Sequence, residues 1–258
     1  MIKAQTRSLE RILKRFTPAA FKKFALFFMV NPLTGRAVKA LGIKKNLFGG
    51  YFDYATVTDT EAARIFWGVW ESAEIRFSKR FATAPTIVEL GSSVGVTLGV
   101  LATQRRNTRF VCIEASPSNF KKLERLKSGL PQGGNDYTLV NRAIAYGVDS
   151  INFAHTSTTG SRIDDTAPAT GAQRVPAATL TALLREFDIS GDYTLITDIE
   201  GAEAAIFFQD RAALTTCSQI VAELENTSAH SIEDQITALK DVGFRLTERY
   251  GNVIAMAR

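Results

Sequence analysis

Cysteine and histidine are scarce in this chain, with two of each: Cys112, Cys217, His155 and His230. No zinc-binding spacing can be built from them. Both cysteines stand inside apolar, strand-like runs, so they read as reduced core residues of a cytoplasmic protein. The histidines read as ordinary loop residues, with a general-base role left open. Long apolar runs are missing as well. The longest early one, residues 24–30, is too short to cross a bilayer. No small-residue cleavage pattern follows it, so no signal peptide is expected. There is no internal repeat. There is also no Gly-x-Gly-x-x-Gly string, which argues against a nicotinamide oxidoreductase.

Acidic residues are nearly absent from the first 50 positions. Eleven Lys or Arg stand there against Glu10 alone, a balance of +10 within a total of +5, which leaves −5 for the rest. The basic character belongs to an N-terminal arm. Leu9, Ile12, Leu13 and Phe16 fall at helical spacing, and Phe21, Phe24, Ala25 and Phe28 repeat it after Pro18. Two short basic amphipathic helices are expected. Their stripe over residues 9–30 has two open readings. It packs on the protein's own body or a second subunit, as in a homodimer, or it makes peripheral contact with an anionic inner-membrane surface. Nucleic acid is the least favoured partner. Residues 1–50 are therefore assigned to an arm and connector, and residues 51–258 to the main domain.

From residue 59 the pattern predicts one long helix, capped by Asp59 or Thr60 and running through Ala62, Ile65, Trp70 and Phe77. Trp67 or Trp70 could line a substrate pocket, although core packing is the plainer reading. Strands then alternate with helices: strands over 87–90, 110–113, 137–141, 193–197 and 219–223, with helices between them. An extra strand is expected near 151–154, a polar lid-like loop over 156–173, and a closing hairpin at 244–249 and 253–257. The fold class is α/β, a Rossmann-like seven-stranded mixed sheet with helices on both faces and an N-terminal helical arm.

The centre of the chain is TIVELGSSVGVTLG, residues 86–99. A strand runs into a glycine turn and a helix, a unit whose backbone can approach a ligand closely. Glu89 just before Gly91 would repel a pyrophosphate. It suits a ligand with hydroxyls and a cationic group, such as S-adenosylmethionine. Glu89, Glu114, Asn141 and Asp198 all stand at predicted strand ends, where open parallel sheets bind ligands. Glu114 is placed to accept from two ribose hydroxyls. Glu89 is expected near the donor's ammonium, or as a brace for the turn. Gly91 and Gly95 allow close approach. Ser92 and Ser93 bind the methionine carboxylate or simply form the turn. Arg142, Ala143 and Ile144 flank the adenine or only leave the strand. Asp198 is the candidate catalytic residue, orienting or deprotonating a hydroxyl, with ammonium binding as the other role. Glu200 and Glu203 cap and brace the loop, and Glu223 supports the site. Asp198, Glu200, Glu223 and Glu225 could gather a hard cation, but no ligand spacing demands one, and no metal is expected.

Five stretches together resemble the FkbM-type methyltransferase family. They are Trp70-Glu71; Glu89 to Gly95; Cys112 to Asn119, which includes Glu114 and Ala115; Asn141 to Ile144; and Asp198-Ile199-Glu200-Gly201-Ala202-Glu203 with Glu223. The last string is the most specific. The sequence departs from the family where Glu89 replaces an Asp, Ser92-Ser93 replace Ala-Asn, and Thr197 replaces a Lys. Residues 1–50 fall outside the resemblance. It implies a class I methyltransferase with S-adenosylmethionine as cofactor, and it adds Glu71 and Ala115 to the cofactor-binding residues. It also implies a small-molecule or glycan acceptor, methylated on a hydroxyl of a sugar, glycolipid or natural product. An RNA or protein methyltransferase tethered by the arm is the alternative, and a non-catalytic protein that keeps the cofactor fold is another. No Asn/Asp-Pro-Pro-aromatic string follows the fourth strand, which argues against base and amide N-methylation.

Overall fold

A computed structural model describes residues 31–68, 72–153 and 173–258. The arm over residues 9–30, Trp70, Glu71, His155 and all but the last residue of the expected lid lie outside the described residues. The contacts divide the chain into two units.

In the first unit, residues 31–47 cluster with 54–68. Helix α1 (Pro32–Ala40) starts with Pro32 in its first turn, and the Asn31 side chain accepts from the Leu33 N–H at 2.9 Å. Helix α2 (Asp59–Trp67) is capped by Thr58, not by Asp59 or Thr60. Thr58 Oγ1 accepts from the Glu61 N–H at 3.2 Å, and the Glu61 carboxylate accepts from the Thr58 N–H at 2.7 Å. Asp59 is left to pair with Arg36 and Lys39, at 2.8 and 2.9 Å. The two helices cross closely at Gly35, where a Cβ would meet the Asp59 carbonyl.

The expected single long helix is two helices. Gly68 takes the left-handed conformation (φ 65°) and closes α2, donating its N–H back to Arg64 and Ile65. Helix α3 (Ser72–Phe81) follows in the second unit.

The second unit holds the seven-stranded sheet. Its strands and helices are β1 (Thr86–Leu90), α4 (Val96–Gln104), β2 (Arg109–Glu114), α5 (Pro117–Lys127), β3 (Asp136–Asn141), β4 (Ala143–Ile144), β5 (Ser150–Phe153), β6 (Gln173–Ala178), α6 (Leu180–Glu186), β7 (Tyr193–Thr197), α7 (Glu203–Gln209), β8 (Cys217–Glu223), α8 (Ile232–Asp241), β9 (Arg245–Tyr250) and β10 (Val253–Ala257). The sheet order is β3-β2-β1-β7-β8-β10-β9. β1, β2, β3, β7 and β8 are parallel, and β10 joins β8 and β9 antiparallel. A smaller sheet, β4-β6-β5, stands beside them. β6 was not expected; Gln173, placed at the end of the lid, is its first residue.

The strand pattern explains the layers. Val88, Leu90, Val111, Ile113 and Leu195 point to one face, where they join Leu183 of α6, Phe207 of α7 and Leu239 of α8 in the main core. On the other face α3 packs against β8, β10 and α4, and α5 packs against β2 and β3. Strand order reverses between the parallel neighbours β1 and β7, because β2 and β3 build outward on one side before β7 returns to the other.

Gly99 lies mid-α4, where a Cβ would stand 2.0 Å from the Tyr51 carbonyl oxygen. The Tyr51 N–H also donates to the Gly99 carbonyl at 3.0 Å. Alanine in a helix normally gains about 1 kcal/mol over glycine. Here overpacking, worth about 1–3 kcal/mol, sets the sign. Gly99→Ala is expected to lower the urea midpoint at unchanged m-value.

Candidate functional site

The site grows from the turn after β1. Gly91 and Gly95 are left-handed (φ 82° and 85°), and so is Ser93 (φ 48°). Gly91 cannot carry a side chain, because a Cβ would sit 1.9 Å from the Asp198 carbonyl oxygen. The ends of β1 and β7 therefore close on each other, and the Asp198 N–H donates to the Leu90 carbonyl at 3.0 Å. The N–H groups of Gly91 and Ser92 both donate to the Ile113 carbonyl, at 2.9 and 3.0 Å, which ties the turn to β2.

Glu114, the last residue of β2, fastens this arrangement. One carboxylate oxygen accepts from the Ser93 N–H at 2.7 Å, and the other accepts from the Ser116 N–H at 2.7 Å. Ser116 caps α5, so one buried side chain joins the glycine turn to the next helix. Each oxygen keeps a lone pair for a further donor. Asn141, at the end of β3, donates its amide to the carbonyls of Glu114 and Ala115, at 2.8 and 3.1 Å.

Glu89 lies inside β1 and is buried. In-register pairing sets Glu89 opposite Cys112 and Glu114 opposite Asn141. Side chains two apart on a strand share a face, so Glu89 and Glu114 stand on the same side of the sheet. The Cys112 thiol donates to the Glu89 carboxylate at 3.3 Å, and Ser92 Oγ donates to the Glu89 carbonyl at 3.3 Å. Burial pushes the Glu89 carboxyl up to about 7, against the lowering hydrogen bond from Cys112, and Glu114 nearby pushes the same way. Burial also raises Glu114, opposed by the two backbone donors. Among the described residues neither carboxylate has a cationic partner. Two buried acids with no countercharge favour a cationic ligand.

Asp198, half-buried, opens the loop after β7. That loop passes through left-handed Glu200 and Gly201 (φ 56° and 98°). Glu203 braces it: its carboxylate accepts from the N–H groups of Ile199 and Gly201, at 2.5 and 2.8 Å. Burial pushes Glu203 up to about 7 despite these donors.

The structure thus gathers Glu89, Gly91, Ser92, Ser93, Gly95, Glu114, Asn141 and the Asp198 backbone around one rim. Ala115 faces the small cluster of Ala143, Ile151 and Val175, and Ile144 is buried in the main core. The side chains of Ala143 and Ile144 supply packing there. Arg142 pairs with Glu186 on α6. Trp67 belongs to the first unit. His230 stacks on Phe208 at 3.7 Å. Glu223 accepts from the Asn252 amide at 3.0 Å. Among the described residues, no cluster of three or more His, Cys, Asp or Glu is arranged to hold a metal ion. Sequence reasoning missed the Cys112–Glu89 contact, which follows only from the register of the two strands. It also missed the buried Thr197 hydroxyl, which has no hydrogen-bond partner.

The profile of the Methyltransferase FkbM domain matches residues 91–246, more than half of the chain. No match was found among curated proteins. Among solved structures, magnesium protoporphyrin IX methyltransferase from Synechocystis PCC 6803, with bound SAM, is 12% identical. That match covers 78% of this chain and 83% of the other, with a TM-score of 0.44. Sp1610 of Streptococcus pneumoniae, a candidate tRNA (m1A22) methyltransferase, is 11% identical over 72% of this chain and 69% of the other, with a TM-score of 0.43. The N-terminal domain of EvdMO1, crystallised with SAH and D-fucose, is 15% identical over 72% and 81%, with a TM-score of 0.36.

The two strongly raised carboxyls fix a pH dependence. Each binds its proton more tightly folded than unfolded, so between 4.5 and about 7 the folded state holds the extra protons. Stability therefore falls as pH rises through that window. Glu89→Gln is expected to remove about 1–3 kcal/mol of that fall, read from urea unfolding at several pH values. Equal slopes for the variant and the parent protein would refute the assignment.

Proposed function

The chain belongs to the FkbM methyltransferase family, and we propose that it transfers a methyl group from S-adenosylmethionine to a hydroxyl of a sugar, glycolipid or natural product. The observation that carries the donor assignment is the pair of buried carboxylates, Glu89 and Glu114, without a cationic partner among the described residues. They stand on one side of a glycine turn at the point where strand order reverses. The donor carries a sulfonium and an ammonium, so it supplies the missing positive charge. It also brings the activated methyl group.

The residues fit that ligand. Glu114 presents the free lone pairs of its carboxylate to the ribose hydroxyls, already oriented by the Ser93 and Ser116 N–H groups. Glu89 supplies negative charge beneath the turn, toward the ammonium. Left-handed Gly91 lets the turn after β1 close on the Asp198 carbonyl, which brings the ends of β1 and β7 together beside the donor. Because ionised Glu89 is the form that attracts a cation, donor affinity rises with pH up to about 7 and levels off above it.

Asp198 sits where β7 leaves the sheet, beside Gly91. Its role is to orient the acceptor hydroxyl and take its proton as the oxygen attacks the methyl carbon. The loop that carries it is held by Glu203, which accepts from the Ile199 and Gly201 N–H groups. Support for a hydroxyl acceptor comes from family membership and from the absence of a Pro-Pro-aromatic string after Asp198.

Calorimetry with S-adenosylmethionine tests the donor. Glu114→Gln keeps the shape and removes the charge, and is expected to weaken donor binding by about 1.5–3 kcal/mol. An unchanged dissociation constant would remove Glu114 from the donor site. Asp198→Asn is expected to lower turnover by about a hundredfold or more with donor affinity nearly kept. A larger loss of affinity than of turnover would instead make Asp198 an ammonium ligand. Mass spectrometry of methylated products from host extracts would identify the acceptor. Donor binding with no product would favour a non-catalytic binding protein.

A further inference from the structure

Helix α1 turns an apolar face outward. Gly35 and Val38 are buried toward α2, whereas Leu33, Ala37, Ala40 and Leu41 lie at i, i+4, i+7 and i+8 and are exposed. Leu33 is 66% exposed and Leu41 is 75% exposed, a large apolar area to leave in water. Arg36, Lys44 and Lys45 are also exposed on this segment, Arg36 while paired with Asp59, and residues 31–50 contain four Lys or Arg and no acid.

We propose that this face of α1 docks on an anionic phospholipid surface, with Leu33 and Leu41 entering the headgroup boundary and the flanking cations on the lipid charge. Charge complementarity selects this occupant. The chain's own first 30 residues carry seven Lys or Arg against one acid, so laying them over α1 sets like charge on like. A second copy meeting through the same face has the same defect. An anionic bilayer answers both the exposed leucines and the net positive charge of this segment. No helix among the described residues is long and apolar enough to cross a membrane, so the contact is a surface one.

Co-sedimentation of the full chain with phosphatidylcholine vesicles, with and without phosphatidylglycerol, reads the interaction. Binding is expected only with phosphatidylglycerol, and salt is expected to weaken it. Leu33→Glu with Leu41→Glu should lower partitioning by about tenfold or more. Ala37→Glu, on the same face, is the second variant should the double one unfold. Lys45→Ala should lower partitioning about fivefold. All three leave the arm intact. Partitioning equal to that of the unaltered chain in both face variants would overturn the proposal in favour of the arm. Indifference to phosphatidylglycerol would overturn it outright. A concentration-dependent dimer in ultracentrifugation that Ala37→Glu abolishes would overturn it in favour of a second copy.

Discussion

The site depends on the carboxylate of Glu114. It accepts from the Ser93 and Ser116 N–H groups, so it fastens the turn after β1 and the start of α5 to the end of β2. Glu89 lies on the same face of the sheet, one strand away. Burying acids is costly, and here no described cation offsets the cost. Backbone donors hold Glu114 in place but carry no full positive charge. The fold therefore keeps a local deficit of positive charge at the strand ends where strand order reverses. A cationic ligand answers both the electrostatics and the position.

Topology explains why the deficit sits there. With β2 and β3 built outward and β7 returned beside β1, the turns after β1 and β7 meet with no helix between them. Gly91 is the contact point, and its hydrogen in place of a methyl lets the Asp198 carbonyl approach. The string Asp198 to Glu203 then reads as a self-braced loop. Gly201 and Glu200 take the positive φ values that bend it, and Glu203 folds its carboxylate back onto the Ile199 and Gly201 N–H groups. The acid that looks chemical by its type is structural by its contacts. Asp198 stands at the start of this braced loop.

Much of this was legible in the sequence, since buried parallel strands are apolar runs and their ends are marked by Glu114, Asn141 and Asp198. The strand of residues 193–197 was read to the residue. What escaped was local. Helical periodicity continues from Ala62 to Phe77 straight through Gly68, and periodicity alone does not register one left-handed glycine. The Thr58-x-x-Glu61 capping box was present, but Asp59 and Thr60 are equally good caps by type; what decides against Asp59 is its pairing with Arg36 and Lys39. β6 reads Gln-Arg-Val-Pro-Ala-Ala, polar with a proline, and only Val175 of it is buried. It is a strand because β4 and β5 flank it, a tertiary fact with no local trace. The Cys112–Glu89 contact needed the register of two strands.

Charge is divided along the chain in the same way that the chemistry is. The first 50 residues hold +10 and the remaining 208 hold −5, so the net positive charge belongs to one end of the chain and the buried acids of the site to the remainder. A lysine or arginine beside Glu89 and Glu114 would remove the cost of burying them. It would also fill the position a cationic donor needs, and the donor would then have to displace it. Leaving those acids uncompensated lowers the stability of the empty protein and raises the affinity for its ligand. Because Glu114 is already oriented by two backbone donors, little ordering is left to be done on binding. The cost of burying those acids and the readiness of the site for a donor are thus two consequences of one arrangement.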